Sequence, residues 1–299
     1  MVCSPLMLIG AALIALFVGF LTGVFGVGGG FLMSPALMIL GFPAPIAVGT
    51  DVATILFNSA FGIFKRRRTG TVDIKLALTL ASGSVFGVIL GGLLLEALKK
   101  LPPLVIMGTE QVAVQYILFV VFLFILVLLV VFLKLDAMTN TQKFEEKHTG
   151  LFAGLKLAPK IHFDSLEGTA LPLLPLIILG LGIGVLTGLL GIGGGVLLLP
   201  ALIYLIGQRP SKAVGTSLML VFFSSLIAVI FHFTHGNISL KLLSIMVAGG
   251  LVGTNIGTHI GLKTDEKKLH SYFAYVVMGA AMLVALKVYA MTFGTNPAH

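Results

Sequence analysis

The sequence predicts an all-α polytopic membrane protein of two tandem homologous repeats, each a glycine-broken helix pair followed by three transmembrane helices, with the repeats inverted. Three observations predict this. Of 299 residues, 58% are hydrophobic and only 10% charged, where a soluble domain carries about a quarter charged. The apolar residues fall into runs of membrane-spanning length. A glycine-rich motif occurs twice, in one register, with a polar stretch between its copies.

A chain this apolar cannot cover its own surface in water, so lipid is its solvent. With no tryptophan in the chain, the interfacial aromatic belt falls to Tyr and Phe. The net charge of +8 would raise nucleic-acid binding in a soluble protein. Here the basic residues sit at the ends of apolar runs, where they orient a membrane protein, and nucleic acid is set aside as a partner. Cys3 is the only cysteine, which excludes an intrachain disulfide and a thiol-rich metal site. Met1 to Phe17 lacks a basic leader and a small-residue cleavage site and runs directly into the first motif. It reads as a retained helix rather than a removed signal.

In order, the apolar runs lie at 6–25, 31–41, 45–64, 72–98, 112–133, 172–190, 196–207, 212–231, 240–262 and 270–290. Most reach the ~20 residues that cross ~30 Å of hydrocarbon as a helix. The exceptions, 31–41 and 196–207, each follow a glycine cluster and hold matching places in the two halves.

The repeat is internal and in register. Thr22-Gly23-x-x-Gly26-x-Gly28-Gly29-Gly30 recurs as Thr187-Gly188-x-x-Gly191-x-Gly193-Gly194-Gly195 at a shift of 165, and Pro35-Ala36-Leu37 recurs as Pro200-Ala201-Leu202. After one inserted residue the shift is 166, which pairs Ala47-Val48-Gly49-Thr50 with Ala213-Val214-Gly215-Thr216 and Ser59 with Ser225. Gly70, Gly83, Gly87 and Gly91 then find Gly236, Gly249, Gly253 and Gly257. Compositional bias yields scattered glycine coincidences, not one register with a single insertion. The reading is a first transmembrane repeat at residues 1–133, a polar linker at 134–171 and a second repeat at 172–299. Within the linker, Leu151 to Leu157 is expected to form a short amphipathic turn at the membrane surface.

Orientation follows from the basic residues. If 6–25 crosses and 31–41 only re-enters, each repeat has four crossings, the repeats are parallel and Lys and Arg divide 12 to 7. If the break turns the chain back, each repeat has three crossings and the division is 15 to 4, with Lys99, Lys100, Lys241 and Lys287 on the poor side. The sharper asymmetry is preferred. It makes the repeats inverted, puts the linker in the cytoplasm and both termini outside.

The triple glycines are the candidate site. Each glycine costs ~1 kcal/mol against alanine within a helix, so three in succession break it. A break in hydrocarbon leaves backbone groups needing partners, and matching breaks in two repeats point to a central binding site. The helices starting near Phe31 and Val196 offer free N–H groups and a positive dipole end, which favours an anion. The expected substrate contacts are therefore Gly28, Gly29, Gly30, Gly193, Gly194 and Gly195, with hydroxyl donors from Thr22, Thr187, Thr50, Thr216 and Ser217. Asp51 stands where the second half has Ser217 and is a candidate for a coupling proton, a helix cap or a basic partner. Asn58 is a candidate lining residue.

Other features have plainer readings. Gly83, Gly87, Gly91 and Gly249, Gly253, Gly257 read as helix-packing seams. Lys65-Arg66-Arg67-Arg68 reads as the anchor of a cytoplasmic helix end, and His232 and His235 as structural or interfacial. No HxxxH, carboxylate cluster or Ser–His–Asp set is present, so neither a metal, a cofactor nor an enzyme is expected.

Gly23-x-x-Gly26-x-Gly28-Gly29-Gly30-Phe31 with Pro35, then Ala47-Val48-Gly49-Thr50 and Arg68-Thr69-Gly70, resembles the TauE/SafE family of sulfite and organosulfonate exporters. The resemblance covers essentially the whole chain. It implies an inner-membrane secondary carrier for sulfite, sulfoacetate or a related small sulfur-containing anion, working outward. The sequence departs from symmetry at Asp51/Ser217 and Arg66/His232, so the halves need not bind substrate equally. The competing reading is a membrane-embedded partner or sulfur-relay subunit without transport of its own.

Overall fold

A computed structural model describes residues 5–106, 109–139, 150–166 and 169–293. Cys3 and most of the polar stretch after Thr139 lie outside them. The helices are α1 (Pro5–Phe25), α2 (Gly30–Ile39), α3 (Ala44–Arg66), α4 (Ile74–Leu98), α5 (Ala113–Thr139), α6 (Leu173–Leu190), α7 (Gly195–Pro200), α8 (Pro210–Thr234), α9 (Leu240–Gly261) and α10 (Glu266–Phe293). Among the described residues, eight helices are long and apolar enough to cross a membrane; α2 and the α7 segment are the short ones. This is a multi-pass helical membrane protein. Large apolar side chains face outward along its length, as with Phe86, 70% exposed in the middle of α4, where lipid replaces water as their neighbour.

Local chemistry sets the helix ends. Pro45 and Pro210 occupy the first turns of α3 and α8, where the missing N–H has no intrahelical partner to lose. Asp73 caps α4 by accepting from Leu76 N at 2.9 Å, and Ser239 caps α9 by accepting from Leu242 N at 3.5 Å. Pro200 ends the regular part of α7, since it lacks the N–H for the next bond. The chain continues as a wider π turn over Ala201–Ile206. Two short hairpins complete the described chain, β1 (Leu104–Ile106) with β2 (Thr109–Gln111) and β3 (Lys160–His162) with β4 (Ala170–Pro172). The second leads directly into α6. The linker's apolar turn is a single 3-10 turn at Leu151–Gly154, and α5 runs past the end of its apolar run to Thr139.

The helices exchange partners between the halves. α4 packs along α6, and α1 along α9. Both seams are built on glycine. A Cβ on Gly83, Gly87 or Gly91 would land on the Ile177, Leu181 or Val185 carbonyl, and one on Gly180 or Gly184 on the Leu80 or Ser84 carbonyl. In the other seam, Gly253 and Gly257 lie against the Leu16 and Phe20 carbonyls. Between helices in lipid no hydrophobic force operates, so close backbone approach and its dispersion energy hold the pairs.

α2 folds back along α1. A Cβ on Gly10 would lie 3.3 Å from Leu40 Cδ1, and one on Gly41 3.7 Å from Met7 Cε, while Gly29 abuts Val18. From Met7 to Val18 α1 rises ~16 Å, close to the ~15 Å of α2 at 1.5 Å per residue. The pair therefore begins and ends at the same end of the molecule. α3 and α8 run antiparallel: Gly49 near the start of α3 meets Asn237 beyond α8, and Gly215 near the start of α8 meets Thr71 beyond α3.

Candidate functional site

The two glycine breaks meet backbone to backbone at the centre of the fold. Gly26, Gly28 and Gly29 adopt φ of 70°, 72° and 77°, and Gly191, Gly193 and Gly194 adopt 73°, 67° and 75°. Side chains rarely tolerate this left-handed region, so a chain reversal this tight calls for glycine. A Cβ on Gly30 would strike the Gly191 carbonyl, and one on Gly195 the Val27 carbonyl. Gly28 and Gly193 share two neighbours: each would place a Cβ 3.2 Å from Ile55 Cγ2, and 2.9 and 3.3 Å respectively from Val221 Cγ1.

The breaks leave donors without acceptors. Gly26 N donates to Thr22 O at 2.8 Å and Gly191 N to Thr187 O at 3.0 Å, closing α1 and α6. The next N–H groups, of Val27, Gly28 and Gly29 and of Ile192, Gly193 and Gly194, have no hydrogen-bond partner among the described residues, and all six residues are buried. More than nine in ten buried backbone donors in proteins are paired. Two rows of three, in loops that touch, are a concentration of unused donors.

The hydroxyls expected near the breaks are engaged. Thr22 Oγ1 donates to Val18 O and Thr187 Oγ1 to Ile183 O, each at 2.9 Å within its own helix. Thr50 Oγ1 accepts the N–H of Ser239 at 3.1 Å, and Thr216 Oγ1 that of Asp73 at 3.2 Å. Each thus holds the N-cap of a helix in the other half of the chain. Gln208, which the sequence reading missed, also donates to Thr216 Oγ1 and to Ser165 Oγ, and Asp73 Oδ2 accepts from Ser165 N. This cluster ties the linker to the membrane helices beside a cleft of about 520 Å³ flanked by Lys75 and Lys212. Asn58 is fully buried against Gly250, with both amide atoms unpaired.

Residues 11–285 match the family described as sulfite exporter TauE/SafE. The chain belongs to this family. Its relatives include the probable membrane transporter protein YjnA of Bacillus subtilis, 28% identical over 266 residues, covering 89% of this chain and 95% of that protein. YunE of the same organism, also a probable membrane transporter protein, is 25% identical over 268 residues, 86% of this chain and 89% of that one. A probable membrane transporter protein of Xylella fastidiosa is 25% identical over 280 residues, 91% and 93% of the two chains. No solved structure matches the chain.

In this TauE/SafE chain, two matched places carry different chemistry. At the end of α1, Arg66 Nη2 donates to Gly23 O at 3.0 Å; at the end of α6, His232 Nε2 lies 3.2 Å from Gly188 O. Lys65, Arg67 and Arg68 are exposed as a helix-end anchor should be, but Arg66 is only 3% exposed and turns into the fold. His232 is buried and sits 3.3 Å from Asn237 Nδ2, which also donates to Glu96. The second place is Ser217, whose Oγ donates to Gly26 O at 2.7 Å. Its counterpart Asp51 instead accepts from Ser34 Oγ at 2.6 Å through Oδ2, while Oδ1 has no partner. Ser34 was not foreseen; its signal was a lone hydroxyl in an apolar helix, where the second half has Leu199.

Proposed function

We propose that this membrane transporter is a secondary carrier that exports a small sulfur-containing oxyanion, sulfite or an organosulfonate such as sulfoacetate. The carrying observation is the pair of unpaired N–H rows at Val27–Gly29 and Ile192–Gly194. Backbone donors in a dry site bind an oxyanion strongly without adding a fixed charge that would trap it. Gly28, Gly29, Gly30, Gly193, Gly194 and Gly195 let the anion approach that backbone. Thr22 and Thr187 brace the glycines, Ser217 holds the first break, and Asn58 offers an uncommitted amide. Thr50 and Thr216 act at a distance by fixing the helices around the breaks.

The breaks touch, so the anion enters when the α1–α2 and α6–α7 pairs part, rocking about α3 and α8. We read residues 1–133 and 172–299 as inverted repeats joined by a cytoplasmic linker at 134–171. The antiparallel α3 and α8, the matched contacts at Gly23 and Gly188, the return of α2 beside the start of α1 and the lysine and arginine division all support that reading.

The test is efflux from liposomes. Purified protein should release trapped labelled sulfite at least ~10-fold faster than empty liposomes, a difference of ~1.4 kcal/mol in barrier. A protein that moves neither sulfite nor sulfoacetate under any imposed ion gradient contradicts the proposal.

A further inference from the structure

We propose that Asp51 and Ser34 form the proton site of this carrier, and that binding of the proton latches the second glycine break. The proposal rests on the transport reading above and adds a coupling ion and a mechanism to it.

Asp51 is fully buried on α3. Its Oδ2 lies 2.6 Å from Ser34 Oγ, and its Oδ1 meets no donor. The helices packed on α3 are α1, α2, α5, α6, α8 and α9. Of these, α1, α2 and α6 carry no titratable side chain. The others carry theirs toward their ends: Tyr116, Lys134 and Asp136 on α5, Lys212 and His232 on α8, Lys241 and His259 on α9, with Lys65 and Arg66 on α3 itself. No described cation pairs with Asp51. An ionised carboxylate in this position has only Ser34 as a donor and no counter-charge, which is unfavourable in a dry interior, and taking up a proton removes that cost.

The opposite half shows what the proton does. At the first break, Ser217 Oγ would lie 2.8 Å from a Cβ on Gly26 and donates to the Gly26 carbonyl. At the second break, Ser34 Oγ takes the matching place, 2.9 Å from a Cβ on Gly191. Ser34 has one hydrogen to give. While Asp51 is ionised, that hydrogen goes to Oδ2 and the second break has no latch. When a proton from water binds the carboxylate, the new O–H donates to Ser34 Oγ and the serine hydrogen turns to the Gly191 carbonyl, as Ser217 already does at Gly26. Release returns the proton to water and the serine hydrogen to Oδ2. Protonation also removes a negative charge beside the anion's donors, so proton and anion bind together and travel in one direction. A divalent sulfonate leaving with one proton still carries one negative charge outward, down an inside-negative potential.

The experiment uses the whole protein and has two arms. In infrared spectra at neutral pH, wild type should show the carbonyl band of a protonated carboxyl; Asp51→Asn should lack it, and Ser34→Ala should keep it at a shifted frequency. In liposomes with an alkaline interior and the membrane potential clamped at zero by potassium and valinomycin, wild type should accumulate labelled sulfoacetate ~10-fold per unit of pH gradient for one proton per anion. Asp51→Asn should show no response to the gradient yet keep sulfoacetate counterflow within ~3-fold of wild type, since the neutral amide leaves the anion's donors intact. Loss of no band in Asp51→Asn, or accumulation in that variant driven by the gradient, overturns the proposal. If wild type has the band but moves no sulfoacetate or sulfite, the transport reading fails and coupling with it, while the protonated carboxyl stands.

Discussion

Arg66 reaches back across 43 residues of chain to hydrogen-bond the carbonyl of Gly23 at 3.0 Å, two residues before α1 ends. A guanidinium buried beside a break, with its Nε unpaired, is well placed to draw an anion toward the N–H rows. For the fold, two terms of a few kcal/mol oppose each other: the desolvation of the charge and the bond to Gly23. Arg66→Met should therefore melt within about 1 kcal/mol of wild type. Its sulfite efflux should fall at least ~10-fold if the charge steers the anion. Thermal melts in detergent beside efflux from liposomes separate the two; a large loss of stability with efflux unchanged would assign Arg66 to structure alone.

The glycine seams make a sharper stability prediction. Gly87→Ala places a methyl on the Leu181 carbonyl and must push α4 off α6, whereas Gly182 and Gly279 have open space where a Cβ would go. Overpacking of this kind costs ~1–3 kcal/mol. Gly182→Ala and Gly279→Ala should be neutral or gain up to ~1 kcal/mol from helix propensity. Equal melting temperatures for all three variants would mean that α4 and α6 do not approach as closely as described.

Thr50 and Thr216 serve the N-caps of α9 and α4 at opposite ends of the molecule. Thr50→Val strands a half-buried N–H and Thr216→Val a buried one, and each should cost ~1–3 kcal/mol. The double variant should lose the sum, because the two sites share no partner. Thr50→Ser and Thr216→Ser should recover most of it. Chemical denaturation in mild detergent measures all five; a non-additive double would show the two caps to be coupled.

Asn58 should show the opposite balance. Both of its amide atoms are buried and unpaired, and the second half has Ser224 in its place, bonded to Val221 O at 3.1 Å. Asn58→Ser should stabilise the protein by ~1–3 kcal/mol through removal of unsatisfied groups, and slow sulfite efflux if the amide meets the anion. A variant that gains stability at no cost in efflux would remove Asn58 from the site.

The helices and breaks were legible because each rests on local chemistry. Apolar length gives the spans, and consecutive glycines give backbone angles that other residues resist. Spacing of four at Gly83, Gly87 and Gly91 announced a seam, but not that its partner is α6, since any apolar helix can take a smooth face. Ser34 meeting Asp51 is a contact made by the fold-back of α2, invisible until the break's geometry is known. The burial of Arg66 was not legible, because four successive basic residues look alike at a helix end, yet a helix turns one of any four inward. The unpaired N–H rows belong to three-dimensional accounting, which a sequence does not offer.

Whether the two breaks hold the anion is decided by a variant that narrows both of them. Gly29→Val would strike Val18 in a left-handed backbone and unfold the break. Gly28→Ala with Gly193→Ala adds methyls facing only the movable side chains of Ile55 and Val221. Each should cost ~1–2 kcal/mol of backbone strain. Labelled sulfite efflux from liposomes, on protein shown by its melt to be folded, should fall at least ~10-fold in the double variant. Efflux at the wild-type rate would move the anion away from the breaks.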